Sequence, residues 1–419
     1  MRFPVHDKAI HCKMRIDLTQ RTGNIMAVLT RSKFSILVSI VFISGFSQGM
    51  LLPLIAILLE EAGTSSTLNG LNAIALYIGI VLASPFIEKP MRRLGYKKII
   101  LSGLILVTVS LFLFPWWKAF WFWFALRLVI GVGDHMLHFS TQVWVTSNSP
   151  AAKRGRNIAL YGIAFGAGFG IGPLMTRLAS VSEALPFLIS GAFCLISLFI
   201  MTFIQNEFPS SEGIKEAGMN TLGRYREVIR SSWVALLPTF GYGFLEASLN
   251  GSFPVYALRH GIPVDWVSVL LPSFVVGSLV FQLPLGLWSD RFGRRKVLLV
   301  CLFVGFLSFT GTLLAGSHMW IYLLLFFIAG MFVGSLFSLG ITYMSDLLPL
   351  HLLPVGNILA GIAFSSGSMT GPLVGGWFIE AFQSGAFVYA ISGMLLILLL
   401  VTYFHKGTGE RNQSQKNVV

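Results

Sequence analysis

GLWSDRFGRRK, residues 286–296, places five charged side chains, Asp290, Arg291, Arg294, Arg295 and Lys296, in a chain that is only 11% charged. On either side of it the sequence is apolar for a length that only a membrane explains. The 419 residues are 55% apolar, with a mean hydropathy of +0.76 and just 17 acidic side chains, a composition outside the range of soluble domains. A helix needs about 20 mostly apolar residues to cross the hydrocarbon of a bilayer. Twelve such runs are read, at 34–58, 67–87, 98–117, 119–145, 157–179, 184–205, 232–258, 264–287, 296–315, 318–343, 355–379 and 384–405. The quoted stretch is the turn between the eighth and the ninth.

Twelve spans divide the loops into two alternating sets. The set that includes both termini carries 26 Lys and Arg, and the other carries Lys118, Arg177 and Arg259. The positive-inside rule then places both termini in the cytoplasm. The net charge of +13 reflects this topology and gives no reason to expect nucleic acid. The first run is longer than a signal peptide's apolar core, so it reads as span 1 and residues 1–33 as a basic cytoplasmic tail. Cys12, Cys194 and Cys301 are scattered over the tail and two spans, which gives neither a disulfide framework nor a metal site.

The chain also repeats itself. GFSQ (45–48) returns as GFLE (243–246), and RRLGYKK (92–98) as DRFGRRK (290–296), both at an offset of 198. Gly131 aligns with Gly330 and Pro173 with Pro372, at an offset of 199. Two copies in the same orientation imply parallel repeats about an axis along the membrane normal. The expected domains are six-helix bundles at 34–205 and 232–405, joined by a cytoplasmic linker at 206–231, with a tail at 406–419.

Gly286, Asp290, Arg291, Gly293, Arg294 and Arg295 match G-x-x-x-D-R-x-G-R-R, and on that signature the chain resembles the major facilitator superfamily of secondary transporters. The resemblance implies an all-α membrane protein of twelve transmembrane helices, alternating access, and a loop that latches one conformation. It points toward drug/proton-antiporter-like or less characterised bacterial branches, and so toward a bacterial inner membrane. A bare positive-inside loop would need neither Asp290 nor Gly293. In the first copy Arg92 stands where the signature has Asp, so an asymmetric latch is expected.

An ionised side chain inside a span costs at least about 2.5–3.5 kcal/mol on insertion scales, so each one calls for a reason. Arg127 opens RLVIGVG, which resembles the R-x-x-x-G-x-G motif of proton-coupled exporters. Asp134 and His138 follow at helical spacing, all three within roughly 40° of one another, with Gln142 extending the stripe. This reads either as a proton-responsive strip on a water-filled cavity or as a neutralised pair pinning helices. Glu246 occupies the repeat position of Gln48, with Asn250 one turn on. The acid and its uncharged counterpart are both expected to face a shared cavity, Glu246 carrying the proton.

Gly162, Gly166 and Gly170 in span 5 have the spacing that lets helix backbones approach, and Gly172 and Pro173 follow; Gly371 and Pro372 repeat the theme in span 11. The resemblance associates a span 5 run ending in G-P-x-x-G-G with antiport, but here Thr176 and Arg177 stand in the last two places. No phosphate-binding G-x-x-x-x-G-K-[ST] occurs, and no cofactor, metal or catalytic site is expected. The leading expectation is a monomeric, proton-coupled exporter of small organic or amphipathic compounds. The alternatives are a proton symporter for uptake of a metabolite or sugar, and a non-transporting receptor or scaffold.

Overall fold

The computed structural model describes residues 6–149, 151–209, 221–316, 318–349, 352–382 and 386–405, leaving aside the side chains of 6–32, 151–155, 221, 222 and 386. The side chains of residues 1–32 of the basic tail, of Lys153, Arg154 and Lys215, and the tail at 406–419 therefore lie outside the described residues.

Among the described residues, eleven helical segments are long and apolar enough to cross a membrane. Spans 1–6 are Lys33–Glu61, Ser66–Phe86, Tyr96–Trp116, Phe120–Asn148, Arg156–Ser180 and Leu185–Thr202. Spans 8–12 are Val264–Phe292, Arg294–Leu314, Met319–Leu347, Leu353–Ala381 and Phe387–Phe404. Span 7 is the part of Thr221–Gly251 beyond a kink at Ser232, continued by Phe253–Arg259, its apolar run diluted by Thr239, Glu246, Ser248 and Asn250. Together these make a twelve-helix fold of two six-helix bundles.

Two spans read as continuous are broken. Span 7 is interrupted at Ser252, where Pro254 lies in the first turn of the second piece and has no N–H to continue the ladder. Span 10 divides into Met319–Val333 and Leu336–Leu347 around Gly334 and Ser335. Span 5 tightens from α-helix to 3-10 helix at Gly172–Ser180, again at a proline, Pro173.

The internal repeat is written in the packing. A Cβ on Gly45 would strike the Phe165 carbonyl, and one on its repeat-mate Gly243 the Phe364 carbonyl. Gly131 lies against the carbonyl of Leu76 as Gly330 lies against that of Phe274. Gly168 meets the Phe42 carbonyl as Gly367 meets that of Phe240. Spans 1·5 and 2·4 thus pack backbone to backbone in the same register as 7·11 and 8·10, which is how small residues hold helices together where lipid is as apolar as leucine. The glycine stripe in span 5 works differently from its reading in the sequence. Gly168 and Gly172 make the close backbone approach to span 1, whereas Gly166 and Gly170 face side chains of span 8 and Gly162 faces nothing within 4 Å.

That stripe also shows how the bundles sit. A Cβ on Gly170 would lie 2.8 Å from Val275 and one on Gly166 3.1 Å from Leu279. One turn further, opposite the bare Gly162, Leu283 is 77% exposed. Spans 2 and 11 behave alike, with Gly70 against the Pro372 carbonyl, Gly376 against that of Ser66, and Gly361 near the other end touching nothing. The bundles meet at the far face, which carries Lys118, Arg177 and Arg259, and part at the basic face, which carries GLWSDRFGRRK.

Gly168→Ala is expected to destabilise the fold by about 1–3 kcal/mol, because backbone cannot yield to the added methyl, while Gly162→Ala leaves stability unchanged. Thermal unfolding of both variants in detergent checks this, and equal midpoints would refute the packing assignment.

Candidate functional site

Span 4 brings Arg127 and Asp134 into the N-terminal bundle, 0% and 1% exposed. They do not form an ion pair. The Arg127 Nη1 donates to Asn72 Oδ1 on span 2 at 3.0 Å, and among the described residues Nε and Nη2 have no hydrogen-bond partner. Asn72, fully buried, also directs its amide toward the Phe120 carbonyl at 3.4 Å. Asp134 lies two helical turns away and belongs to a different set of contacts.

Those contacts form a chain across spans 1, 4 and 5. The Ser44 hydroxyl donates to Asp134 Oδ1 at 3.0 Å and lies 3.0 Å from His138 Nε2. His138 Nδ1 lies 2.9 Å from the Tyr161 hydroxyl. A hydroxyl carries one proton and a neutral imidazole one, so the arrangement has a single consistent direction when Asp134 is ionised. Tyr161 donates to Nδ1, Nε2–H donates to Ser44, and Ser44 donates to Asp134, the histidine tautomer being assigned from this network. Gln48 sends its amide to within 3.5 Å of His138 Nε2. It is also close enough to Asp134 to bias the carboxylate, yet Oδ2 has no bond of good geometry. His135, on the other side of the helix, lies 3.0 Å from the Ser84 hydroxyl.

Glu246 lies in the C-terminal bundle with no side-chain hydrogen bond recorded among the described residues. It and its repeat-mate Gln48 are each partly exposed between buried chain neighbours. Tyr77 of span 2 belongs to an apolar cluster that also takes in Ala247 and Met369 of the C-terminal bundle. Asn250 spends its amide on the backbone carbonyl of Glu246 at 2.8 Å and is 6% exposed. Gln142 is exposed.

Ser44, Tyr161, Asn72 and Tyr77 were not among the residues singled out in the sequence. Asn69 and Asn72, three apart in an otherwise apolar span, carried a legible signal, since a buried amide needs partners. Ser44 and Tyr161 carried none.

The loop at the basic face is anchored inside the C-terminal bundle. Arg294 pairs with Asp290, with Asp346 at 3.0 Å and with the Ser289 hydroxyl at 2.6 Å. Arg295 donates to the last carbonyls of span 12, Thr402 at 3.1 Å and Tyr403 at 2.8 Å, a favourable place for a cation at a helix C-terminus. Gly293, with φ of 95°, turns the chain between spans 8 and 9, and Arg291 lies over the Phe292 ring. A Cβ on Gly286 would meet nothing within 4 Å, and its carbonyl accepts from the Ser289 hydroxyl at 2.7 Å. In the first copy Gly95 makes the same turn with φ of 83°, and Lys97 caps span 6 at the Thr202 carbonyl, 2.7 Å away.

In the first copy Arg92, standing where the signature has Asp, pairs with Glu88 at 2.8 Å, and Glu207, just past span 6, is a further carboxylate at this face. It accepts from Lys33 at 2.7 Å, from the Trp144 indole at 2.6 Å and from Asn148. Burial pushes its carboxyl up, but the hydrogen bonds from Lys33, Trp144 and Asn148 and the Lys33 charge outweigh it and hold the group below its ordinary 4.5. A depressed carboxylate contributes stability that is present above the unfolded value and lost as pH falls through the folded one. Wild-type protein is therefore expected to unfold at a higher temperature than Glu207→Gln at pH 7, the gap narrowing once pH drops below about 4.5. A gap independent of pH in melting curves would contradict this.

The family model for the Major Facilitator Superfamily matches residues 37–273 and 239–418. Over 366 residues the chain is 53% identical to the MFS-type transporter YfkF of Bacillus subtilis (strain 168), covering 87% of this chain and 93% of that one. It is 23% identical over 293 residues to Multidrug resistance protein 2 of the same organism, covering 68% and 73%. Among solved structures, the nucleoside transporter NupG superposes with a TM-score of 0.71 at 14% identity, over 89% of this chain and 99% of that one. A bacterial homologue of the human lysosomal transporter Spinster superposes with a TM-score of 0.64 at 16% identity, over 89% and 94%.

Proposed function

This chain belongs to the Major Facilitator Superfamily and is a multi-pass membrane transporter, and from that premise we propose that it exports small organic or amphipathic compounds in exchange for protons. The observation that carries the reading is the chain from Tyr161 through His138 and Ser44 to Asp134, buried in an apolar bundle. Such a chain is costly to bury and gives a structural protein nothing that apolar packing would not give better. With the basic face in the cytoplasm, the parted ends of the bundles open inward, where an exporter loads its cargo.

The chemistry is a relay that can be reversed. A proton that passes to Asp134 through this chain inverts it: Nε2 gives its proton to Ser44 as Ser44 gives its own to Asp134, while Tyr161 gives its proton to Nδ1 and takes up the incoming proton in its place. The Asp134 O–H then donates to Ser44, Ser44 to Nε2, Nδ1–H to Tyr161 and the Tyr161 hydroxyl to the His138 carbonyl, 3.3 Å away, so no donor in the chain is orphaned. Glu246 in the C-terminal bundle is the second carboxylate of the scheme. Export is favoured by two things: the Arg127 motif, and similarity to a protein named for multidrug resistance.

Everted vesicles with a preset pH gradient test the proposal. Compounds from a library that are cargo should dissipate the gradient, and accumulation of substrate by intact cells together with protons would overturn export. Asp134→Asn and Glu246→Gln should each lower coupled flux about tenfold or more, the scale of one charge-assisted interaction. Insertion and melting temperature should be retained. Coupling unchanged in either variant removes that residue from the scheme.

A further inference from the structure

At the far-face end of the N-terminal bundle, spans 1, 3, 4 and 6 leave a cavity of about 310 Å³ between them, at the low end of the range for small-molecule pockets. Its floor is apolar and buried: Leu58 of span 1, Phe114 of span 3, Trp123 of span 4 and Phe187 of span 6. Phe114 stacks on Phe187 with ring centroids 5.0 Å apart and leans on Trp123 at 6.1 Å. The Trp123 indole N–H already donates to the Phe114 carbonyl at 3.2 Å, so the ring presents carbon to the cavity rather than an unsatisfied donor. No member of the relay lines this space, nor does Arg127 or Glu246.

Short side chains keep the cavity open. Pro115, Ser182 and Ala184 line it, while the large chain neighbours Trp116 and Val181 are turned outward, 84% and 75% exposed. Interiors are packed without voids of this size, and a bundle that needed the volume filled has the side chains at hand.

Two opposite charges stand at the mouth. Lys118, in the loop between spans 3 and 4, pairs with Glu183, in the loop between spans 5 and 6, at 2.6 Å, and both line the cavity. Their side chains are 61% and 46% exposed, so the pair adds little to stability and exchanges partners at small cost. A cation and an anion in contact above an aromatic floor are complementary to a molecule that carries both charges close together on an apolar body. Its ammonium takes the Glu183 carboxylate, its acidic group takes the Lys118 ammonium, and its body covers the floor. One internal pair is thereby replaced by two, and apolar surface leaves water.

We infer that this cavity is a binding site for small zwitterions with an apolar body, of which α-amino acids with aromatic or branched side chains are the simplest. It lies apart from the central gap and opens at the face opposite to the parted ends of the bundles, so it meets the solution that the gap does not. The inference stands on the cavity and its charge pair, and not on proton coupling or the direction of transport. An ethanolamine phospholipid headgroup carries the same two charges, but its acyl chains belong in the bilayer and leave the aromatic floor uncovered.

The test is binding of L-phenylalanine to full-length protein in phosphatidylcholine nanodiscs, followed by saturation-transfer NMR. Affinity should be roughly millimolar for so small a ligand. Phenethylamine and hydrocinnamate each lack one charge and should bind about two- to fivefold more weakly. Glycine, which has both charges and no body, should not bind detectably. Lys118→Gln should erase the preference for phenylalanine over phenethylamine, and Glu183→Gln the preference over hydrocinnamate, both with an unchanged melting temperature. No binding by the wild-type protein, or binding that neither variant alters, overturns the site. Phenylalanine displaced in nanodiscs containing phosphatidylethanolamine would give the site to the lipid headgroup and overturn its assignment to a solute. Since the readout involves no transport, failure of the export scheme leaves this result standing, and failure here leaves the export scheme untouched.

Discussion

Glycine lying against a carbonyl is the contact on which this molecule depends. Inside each bundle it fixes spans 1·5, 2·4, 7·11 and 8·10 at a separation that no side chain could reproduce, and because backbone does not yield, each bundle is a rigid unit. Across the seam between bundles the same contact recurs at the far face, where Gly70 and Gly376 meet the carbonyls of Pro372 and Ser66. Toward the basic face it is gone. Rigid halves with a seam tight at one end and open at the other form the geometry from which two packed bodies can rock about a common middle.

Set into that frame, the buried ionisable groups divide by how they are satisfied. Asp134 and His138 are tied into a relay of neutral and charged donors. Arg127 is held by one amide, with two guanidinium nitrogens left unbonded among the described residues. A cation compensated so little by its neighbours is costly to hold in an apolar bundle.

Much of the architecture was legible in the chain. The offset of 198–199 that pairs GFSQ with GFLE is the one that pairs Gly45 with Gly243 in packing, because a repeated helix contact needs its small residue at the repeated position. The breaks in spans 7 and 10 were not legible, since hydropathy sums over a window and does not register one missing N–H or a Gly-Ser pair. The stripe of Gly162, Gly166 and Gly170 was legible as spacing but not as partner: periodicity says which residues share a face, and only the fold says what that face meets. The relay through Ser44 and Tyr161 was invisible for a related reason. A serine and a tyrosine in a span are too common to mark, and their meaning comes from Asp134 and His138 lying opposite on another helix.

The two halves keep one packing plan and divide the chemistry. At the basic face the same turn is made by Gly95 and Gly293 and the same helix end is capped by Lys97 and Arg295, yet the carboxylates are Asp290 and Asp346 in one half and Glu88 and Glu207 in the other. In the membrane interior Ser44 and Gln48 of span 1 face the relay, while their repeat positions in span 7 hold Tyr242 and Glu246. Packing has to be duplicated because both bundles must close against the same lipid and the same seam. Polar chemistry is free of that demand, since a single relay in one bundle and a single carboxylate in the other give the central gap two unlike walls.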